Sequence, residues 1–297
     1  MRRQAVIFIH GIGEQQDGYS TAIENALREA FPDHVEDVRD SLSKKQRDAI
    51  SAADRAAPIF REVLWAKITS GPQNELWKRV NRSHNLDMVK LRRFFVEFGG
   101  DAVGYQRDGD ENIVYNKIND CVQAQIDSVK KEFPNDTFEY TFVTHSLGTI
   151  VSSNYLYDQS LIKPSRKGIK ATNLFTLGSP IAIWTLRFGG PLNAVHPVQV
   201  SRPDGAWINI LDDEDVIGFP LRDLNPQYAA AVDMDYVTEI GGLMSMGNPI
   251  SHIGYWTDNN AIKPIARKLA IDSLRMTSKV AYKKRAYLKY IENLWNV

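Results

Sequence analysis

Phe138-Glu139-Tyr140-Thr141-Phe142-Val143-Thr144-His145-Ser146-Leu147-Gly148 runs directly into Thr149-Ile150-Val151-Ser152-Ser153-Asn154-Tyr155. The first six residues alternate as a strand does, and the last seven read as a helix. A sharp turn at 144–148 must join them, with Ser146 at its point. Small residues around such a turn let strand and helix close tightly, and Gly148 fits this need. Thr144 does not, because a β-branched residue prefers extended backbone.

A second stretch stands at the other end of the chain. Ala5-Val6-Ile7-Phe8-Ile9 is an apolar run of the kind buried in a parallel sheet, followed at once by His10-Gly11-Ile12-Gly13-Glu14. A glycine-rich turn after a strand can also cradle phosphate. The chain carries neither G-x-G-x-x-G nor G-x-x-x-x-G-K-[ST], which that chemistry uses.

A strand with a His-Gly loop, followed later by a strand, a serine turn and a helix, resembles the α/β-hydrolase superfamily in its lipase and esterase branch. Leu174-Phe175-Thr176-Leu177-Gly178-Ser179-Pro180 is similar to the strand and GSP turn of the same branch. The resemblance implies an α/β fold, a doubly wound and mostly parallel sheet. It makes Ser146 the nucleophile on an elbow that departs from G-x-S-x-G only at Thr144. It places the Ile12 and Leu147 amides in an oxyanion hole and His10 and Gly11 beside the substrate.

A serine nucleophile needs a base and an orienting carboxylate, because its hydroxyl is almost never ionised at neutral pH. The family order is Ser, then Asp or Glu, then His. Two histidines follow Ser146: His196, which is early for that order, and His252 in Pro249-Ile250-Ser251-His252-Ile253-Gly254-Tyr255-Trp256. His252 is the expected base; either histidine could instead be structural. For the acid, Ala206-Trp207-Ile208-Asn209-Ile210-Leu211 reads as a strand ending in Asp212-Asp213-Glu214-Asp215-Val216. Asp215 best resembles the family's acid loop, with an apolar neighbour and Pro220-Leu221 beyond. Asp213 and Asp212 are the alternatives, and most of this acidic run is expected to be solvated or to cap backbone amides.

With 297 residues, 43% hydrophobic and 24% charged, the chain is large enough for a sizeable core, and one domain over 1–297 is expected. The span from His10 to Ser146 greatly exceeds a βα unit of about 30 residues, so something is inserted there. Residues 73–80 and 86–98 read as two helices, with Gly99-Gly100 as a stop. A helical lid or cap within about 67–100 follows, in which Trp77, Phe94 and Phe95 would meet an acyl chain. Ordinary core packing is the equal alternative. Asp108-Gly109-Asp110-Glu111-Asn112 only superficially starts a calcium loop, since Ile113 and Asn119 stand where that loop needs Gly and Glu; no metal and no cofactor are expected.

The balance of 36 basic and 36 acidic residues argues against general nucleic-acid binding. The segment about 261–297 is basic and helical, with Tyr282, Tyr287, Tyr290 and Trp295 among its lysines and arginines. It is expected to dock an aromatic face on the domain; lying on an anionic membrane surface is the alternative. The apolar N-terminal run is too close to Met1 for a signal peptide, and no apolar run reaches membrane-spanning length. The lone Cys121 is expected to be a buried helical thiol. A cytoplasmic enzyme follows, peripheral to a membrane in the alternative. The reaction implied is hydrolysis of a carboxylic ester, lipid or another acyl-chain ester leading. A thioesterase or amidase, or an inactive hydrolase-like scaffold, is the rival reading.

Overall fold

The computed structural model describes residues 2–48, 50, 57–81, 89–105, 113–162, 168–191, 197–201, 204–241, 252, 254–278 and 284–295, and only the backbone at 90, 91, 94, 95, 188, 275–278 and 295. In chain order the elements are β1 (Arg2–Ile9), α1 (Thr21–Asp40), α2 (Lys44–Asp48), β2 (Ile59–Val63), α3 (Ala66–Val80), α4 (Val89–Gly104), α5 (Ile113–Glu132), β3 (Thr137–His145) and α6 (Leu147–Leu161). They continue as β4 (Ala171–Leu177), α7 (Ile181–Trp184), β5 (Trp207–Leu211), α8 (Pro226–Ala231), β6 (Met234–Val237), α9 (Asn259–Ser278) and α10 (Lys284–Trp295).

The six strands form one sheet in the order β2-β1-β3-β4-β5-β6, and every pairing is parallel. Parallel strands need crossovers, which place helices on the faces and bury both sides of the sheet. Period-two alternation divides the strand residues accordingly. Ala5, Ile7, Ile9, Phe142, Leu174 and Trp207 share one core with residues of α5 and α6. Val6, Phe8, Val143, Phe175, Ile208 and Ile210 share the other with α1 and α9. Each such large side chain contributes about 1.5–3 kcal/mol of transfer free energy when fully buried.

From β1 the chain crosses to β2 on one side and later to β3 on the other. The loops leaving the C-terminal ends of β1 and β3 therefore part at the point where strand order reverses, which is where open α/β sheets bind ligands. Ile9 pairs with Thr144 across these two strands, so the His10–Gly13 loop and the Ser146 turn emerge side by side.

The inserted helices differ from the sequence expectation in their limits. The helix expected at 73–80 begins at Ala66 and continues through Pro72, and Gly99-Gly100 lie inside α4, which reaches Gly104. Two interior glycines cost about 1 kcal/mol each in propensity. Burial of Asp101 and Tyr105 beyond them carries the helix on. Gly100 also lets α3 come close: a β-carbon there would lie 3.0 Å from the Gln73 side chain.

The basic C-terminal helices dock on the sheet. Tyr287 and Ile291 are buried in the second core, the Tyr287 hydroxyl donates to the Pro264 carbonyl at 2.9 Å, and buried Lys268 pairs with Asp272. Among the described residues no helix is long and apolar enough to cross a membrane. Cys121 is half-buried at the edge of the first core, less enclosed than its helical pattern suggests, and burial raises its thiol pKa. The calcium-like stretch 108–112, His196 and Met88 lie outside the described residues.

Candidate active site

β3 ends at His145, and α6 begins at Leu147, so a single residue turns the chain. That residue, Ser146, has φ 53° and ψ −130° and is the one non-glycine residue with positive φ among those described. Non-glycine residues in such regions carry about 1–3 kcal/mol of backbone strain and persist only where the surroundings enforce it. Here they do: the Ser146 N–H donates to the Leu177 carbonyl at 2.9 Å, and the Ser146 carbonyl accepts from the Thr149 N–H and hydroxyl. The Thr149 hydroxyl also meets Ser179 of the GSP turn at 2.9 Å.

Thr144, the departure from the usual elbow, is not at the strained position. It is the penultimate residue of β3, extended as β-branched residues prefer, and its hydroxyl donates to the Phe175 carbonyl at 3.2 Å. Close packing is supplied instead by Gly148, where a β-carbon would lie 2.5 Å from the carbonyl oxygens of Ile9 and His10.

Three side chains converge at the turn. His252 Nε2 lies 2.7 Å from Ser146 Oγ, and His252 Nδ1 lies 2.9 and 3.0 Å from the two Asp215 oxygens. Nδ1–H donating to the carboxylate leaves Nε2 free to accept the serine proton. Asp215 also accepts from the Ile217 N–H at 3.0 Å and from the Tyr255 hydroxyl at 2.9 Å. Burial alone would raise its pKa, but the hydrogen bonds and charge of His252, with those of Ile217 and Tyr255, outweigh burial and lower it. The carboxylate is thus ionised at neutral pH. Ser146 is fully covered and His252 almost so.

The neighbouring acids have other work. Asp212 is buried and accepts from the Glu214 and Ile240 N–H groups, both at 2.7 Å, as a cap for this loop. Asp213 and Glu214 are exposed.

Gly11 lies against the serine, since a β-carbon there would be 2.5 Å from Ser146 Cβ. Ile12 is half-buried and packs on the first core, while Leu147 is fully buried. His10 is fully buried, as Ser146 is. Its Nδ1 meets the Gly11 carbonyl at 2.7 Å, its Nε2 accepts from the Trp65 N–H at 3.1 Å, and its ring stacks on Trp65. Burial pushes its pKa down to about 4, so it is neutral and pins the loop. Trp77 is half-buried with the Arg93 guanidinium over its ring. The side chains of Phe94 and Phe95 lie outside the described ones.

Several residues that matter here carry no role in the sequence reading. Tyr255 both donates to Asp215 and accepts from the Asp212 N–H at 2.9 Å, and its place three residues after His252 was the available signal. Gly178, at φ 53°, and Gly218 make room for the acid: β-carbons at these positions would lie 2.7 and 2.8 Å from Asp215 Oδ2. His145 is buried with Nε2–H donating to the His252 carbonyl at 2.5 Å, and burial, aided by the His252 charge, pushes its pKa down to about 3. Nothing in sequence marks that contact, which spans more than a hundred residues.

No family model matches this chain, and a search of curated proteins gives no match. Its chemistry is therefore read from the site. Among the described residues no cluster of three His, Cys, Asp or Glu side chains could hold a metal ion.

Proposed function

We propose that this protein is a serine hydrolase of the α/β-hydrolase type that cleaves carboxylic esters through an acyl-enzyme. The observation that carries this reading is the continuous relay from Ser146 through His252 to an ionised Asp215, on a serine held in a strained backbone conformation. A structural serine has no need of that strain, and nucleophile, base and orienting acid stand in the geometry that acyl transfer uses.

In this mechanism Ser146 Oγ attacks the ester carbonyl carbon as its proton passes to His252 Nε2. Asp215 stabilises the imidazolium, and its own position is held by Tyr255, Ile217 N–H and the space left by Gly178 and Gly218. The tetrahedral oxyanion falls to the Ile12 and Leu147 amides. His252 then gives the proton to the departing alkoxide, and water, activated by the same imidazole, releases the acid. Because Ser146 is covered in this form, an ester reaches it only after a covering segment moves.

An acyl chain is the leading substrate feature. Ile183, Leu186 and Val216 stay exposed on segments that follow β4 and β5, the strand ends that share the serine's edge of the sheet. Apolar side chains left in water there suit a hydrocarbon tail better than a charged leaving group.

The test is labelling by a fluorophosphonate probe together with hydrolysis of p-nitrophenyl esters of increasing chain length. Wild-type protein should be labelled and active; Ser146→Ala should lose labelling and about 10⁴-fold or more of kcat while unfolding at the same temperature. An active, unlabelled wild type, or a fully active Ser146→Ala, would refute the mechanism.

A further inference from the structure

The nucleophile and its base come from parts of the fold that are held differently. Ser146 follows β3, a central strand of the sheet, and its N–H is tied to Leu177 of β4. His252 comes after β6, an edge strand, and takes no part in the ladder. Its side chain is bonded to Asp215 through Nδ1. That bond fixes the tautomer, but how far the ring reaches toward the serine depends on where the main chain of residue 252 stands. The residue next to the serine meets that main chain. His145 is 6% exposed, its ring centroid is 4.9 Å from that of His252, and its Nε2 is 2.5 Å from the His252 carbonyl oxygen. A carbonyl only accepts, so Nε2 carries the proton. His145 is itself fixed as the last residue of β3, in register with Leu177.

We infer that His145 is a positioning residue whose Nε2–H holds the main chain of His252 so that the imidazole stands at proton-transfer distance from Ser146, a role that rests on the hydrolase reading above. Residues 145 and 146 are neighbours at one strand end, so the same short piece of chain places the nucleophile and, through the His145 ring, the base. The proton passes from Ser146 Oγ to His252 Nε2 across 2.7 Å, and a misplacement of about 1 Å between reacting groups can cost about 10²-fold in rate. A ring bonded at Nδ1 alone can pivot about that bond and carry Nε2 away from the serine. A second hold, on the main chain, removes the pivot. The donor must also be neutral, because His252 gains a proton in the reaction and a positive charge beside it would oppose that gain. Burial keeps the His145 ring uncharged, with its pKa down to about 3, whereas a lysine or arginine would deliver an N–H with the wrong charge.

The experiment compares the full wild-type chain with three variants: His145→Gln, which keeps an N–H donor; His145→Phe, which keeps a ring without the donor; and His145→Asn, whose amide is one methylene short. Its readouts are kcat and KM on a p-nitrophenyl ester, the rate of labelling by a fluorophosphonate, and thermal unfolding. His145→Phe should lower kcat and the labelling rate together by about tenfold to a hundredfold with KM nearly unchanged, as a misplaced base does, and His145→Asn should match it. His145→Gln should recover most of both. A residue that only packs would shift the unfolding temperature without ranking His145→Gln above the other two in kcat, and that result, or a wild-type kcat in His145→Phe, overturns the inference. Whichever of His145→Phe and His145→Asn folds is set against His145→Gln: a lower kcat supports the inference, and an equal one overturns it. If neither folds, the residue serves the fold and not the base, and the inference is overturned. A wild type inert to fluorophosphonate would overturn the hydrolase reading and this inference with it. A reactive wild type labelled no faster than His145→Phe would overturn this inference alone.

Discussion

Replacing His145 by Gln should flatten the acid side of the stability curve by one proton's worth. His145 is buried beside the His252 ring, with its Nε2–H on the His252 carbonyl, and its pKa falls from the ordinary 6.5 to about 3. Between those two values the unfolded chain binds a proton that the native protein does not, so stability rises with pH across this window and is lost as pH falls. The cost is about 1.4 kcal/mol per pH unit, or about 2 kcal/mol on going from pH 6.5 to 5. His10, lowered to about 4, adds a similar loss. Asp101, raised to about 6, acts in the opposite sense, because below that value the native state holds the extra proton. Its return is about 1.4 kcal/mol by pH 5, which leaves a net loss of about 3 kcal/mol. Glutamine can still donate an N–H to the His252 carbonyl but does not titrate. Urea unfolding at pH 5, 5.5, 6 and 7 on wild type and His145→Gln should therefore give wild type the steeper slope by about 1.4 kcal/mol per pH unit between pH 5 and 6. Equal slopes would mean that His145 is protonated as readily in the native protein as in the unfolded chain, and would refute the assignment of a buried neutral ring.

Other outcomes concern the acid and its surroundings. Asp215→Asn should lower kcat by about 10⁴-fold, since the carboxylate sets the imidazole tautomer, whereas exposed Asp213→Asn should leave ester turnover unchanged; the reverse ranking would reassign the acid. Asp212→Asn should show mainly as a lower unfolding temperature, because its oxygens cap Glu214 and Ile240. Tyr255→Phe removes a hydroxyl that donates to Asp215 and accepts from Asp212 N–H; a loss of about 1–3 kcal/mol in urea unfolding is expected, together with a lower kcat, and an unaffected protein would show that the hydroxyl is dispensable. Gly11→Ala forces a β-carbon onto Ser146; turnover should drop by about 10²-fold, as for a misplaced oxyanion donor, and unchanged kinetics would place the loop elsewhere in solution.

Local pattern was enough for the parts of this protein that depend on near neighbours in the chain. The apolar run 5–9, the alternating run 138–143 and the strand at 206–211 could be read directly, because a strand buried on both faces or one face imposes a pattern on successive residues. The serine turn was legible for the same reason: a strand that becomes a helix within a few residues leaves one tight point, and Ser146 occupies it. The acidic loop put Asp215 first only by resemblance to the family's acid loop and left Asp213 and Asp212 open, since nearby carboxylates are chemically alike in sequence. Packing separates them. Asp215 alone turns inward between Gly178 and Gly218 toward His252, Asp212 caps amides, and Asp213 stays in water.

The insertion shows the limit most clearly. Glycine propensity argued for a stop at Gly99-Gly100, but the contact of α4 with α3 outweighs a cost that is local and small, and the helix continues to bring buried Asp101 against Gln73 of α3. Thr144 likewise was a fault in the motif until its extended place in β3 and its bond to Phe175 were known. Sequence by itself determined the four inner strands β1, β3, β4 and β5, where the chain must turn after β3 and which residue types can transfer a proton, while the edge strands β2 and β6 carried no legible pattern. Tertiary structure decided which carboxylate faces the imidazole, that His10 and His145 are buried and neutral, and that His145 meets the main chain of His252, because those outcomes depend on distances between residues far apart in the chain, which no local pattern encodes.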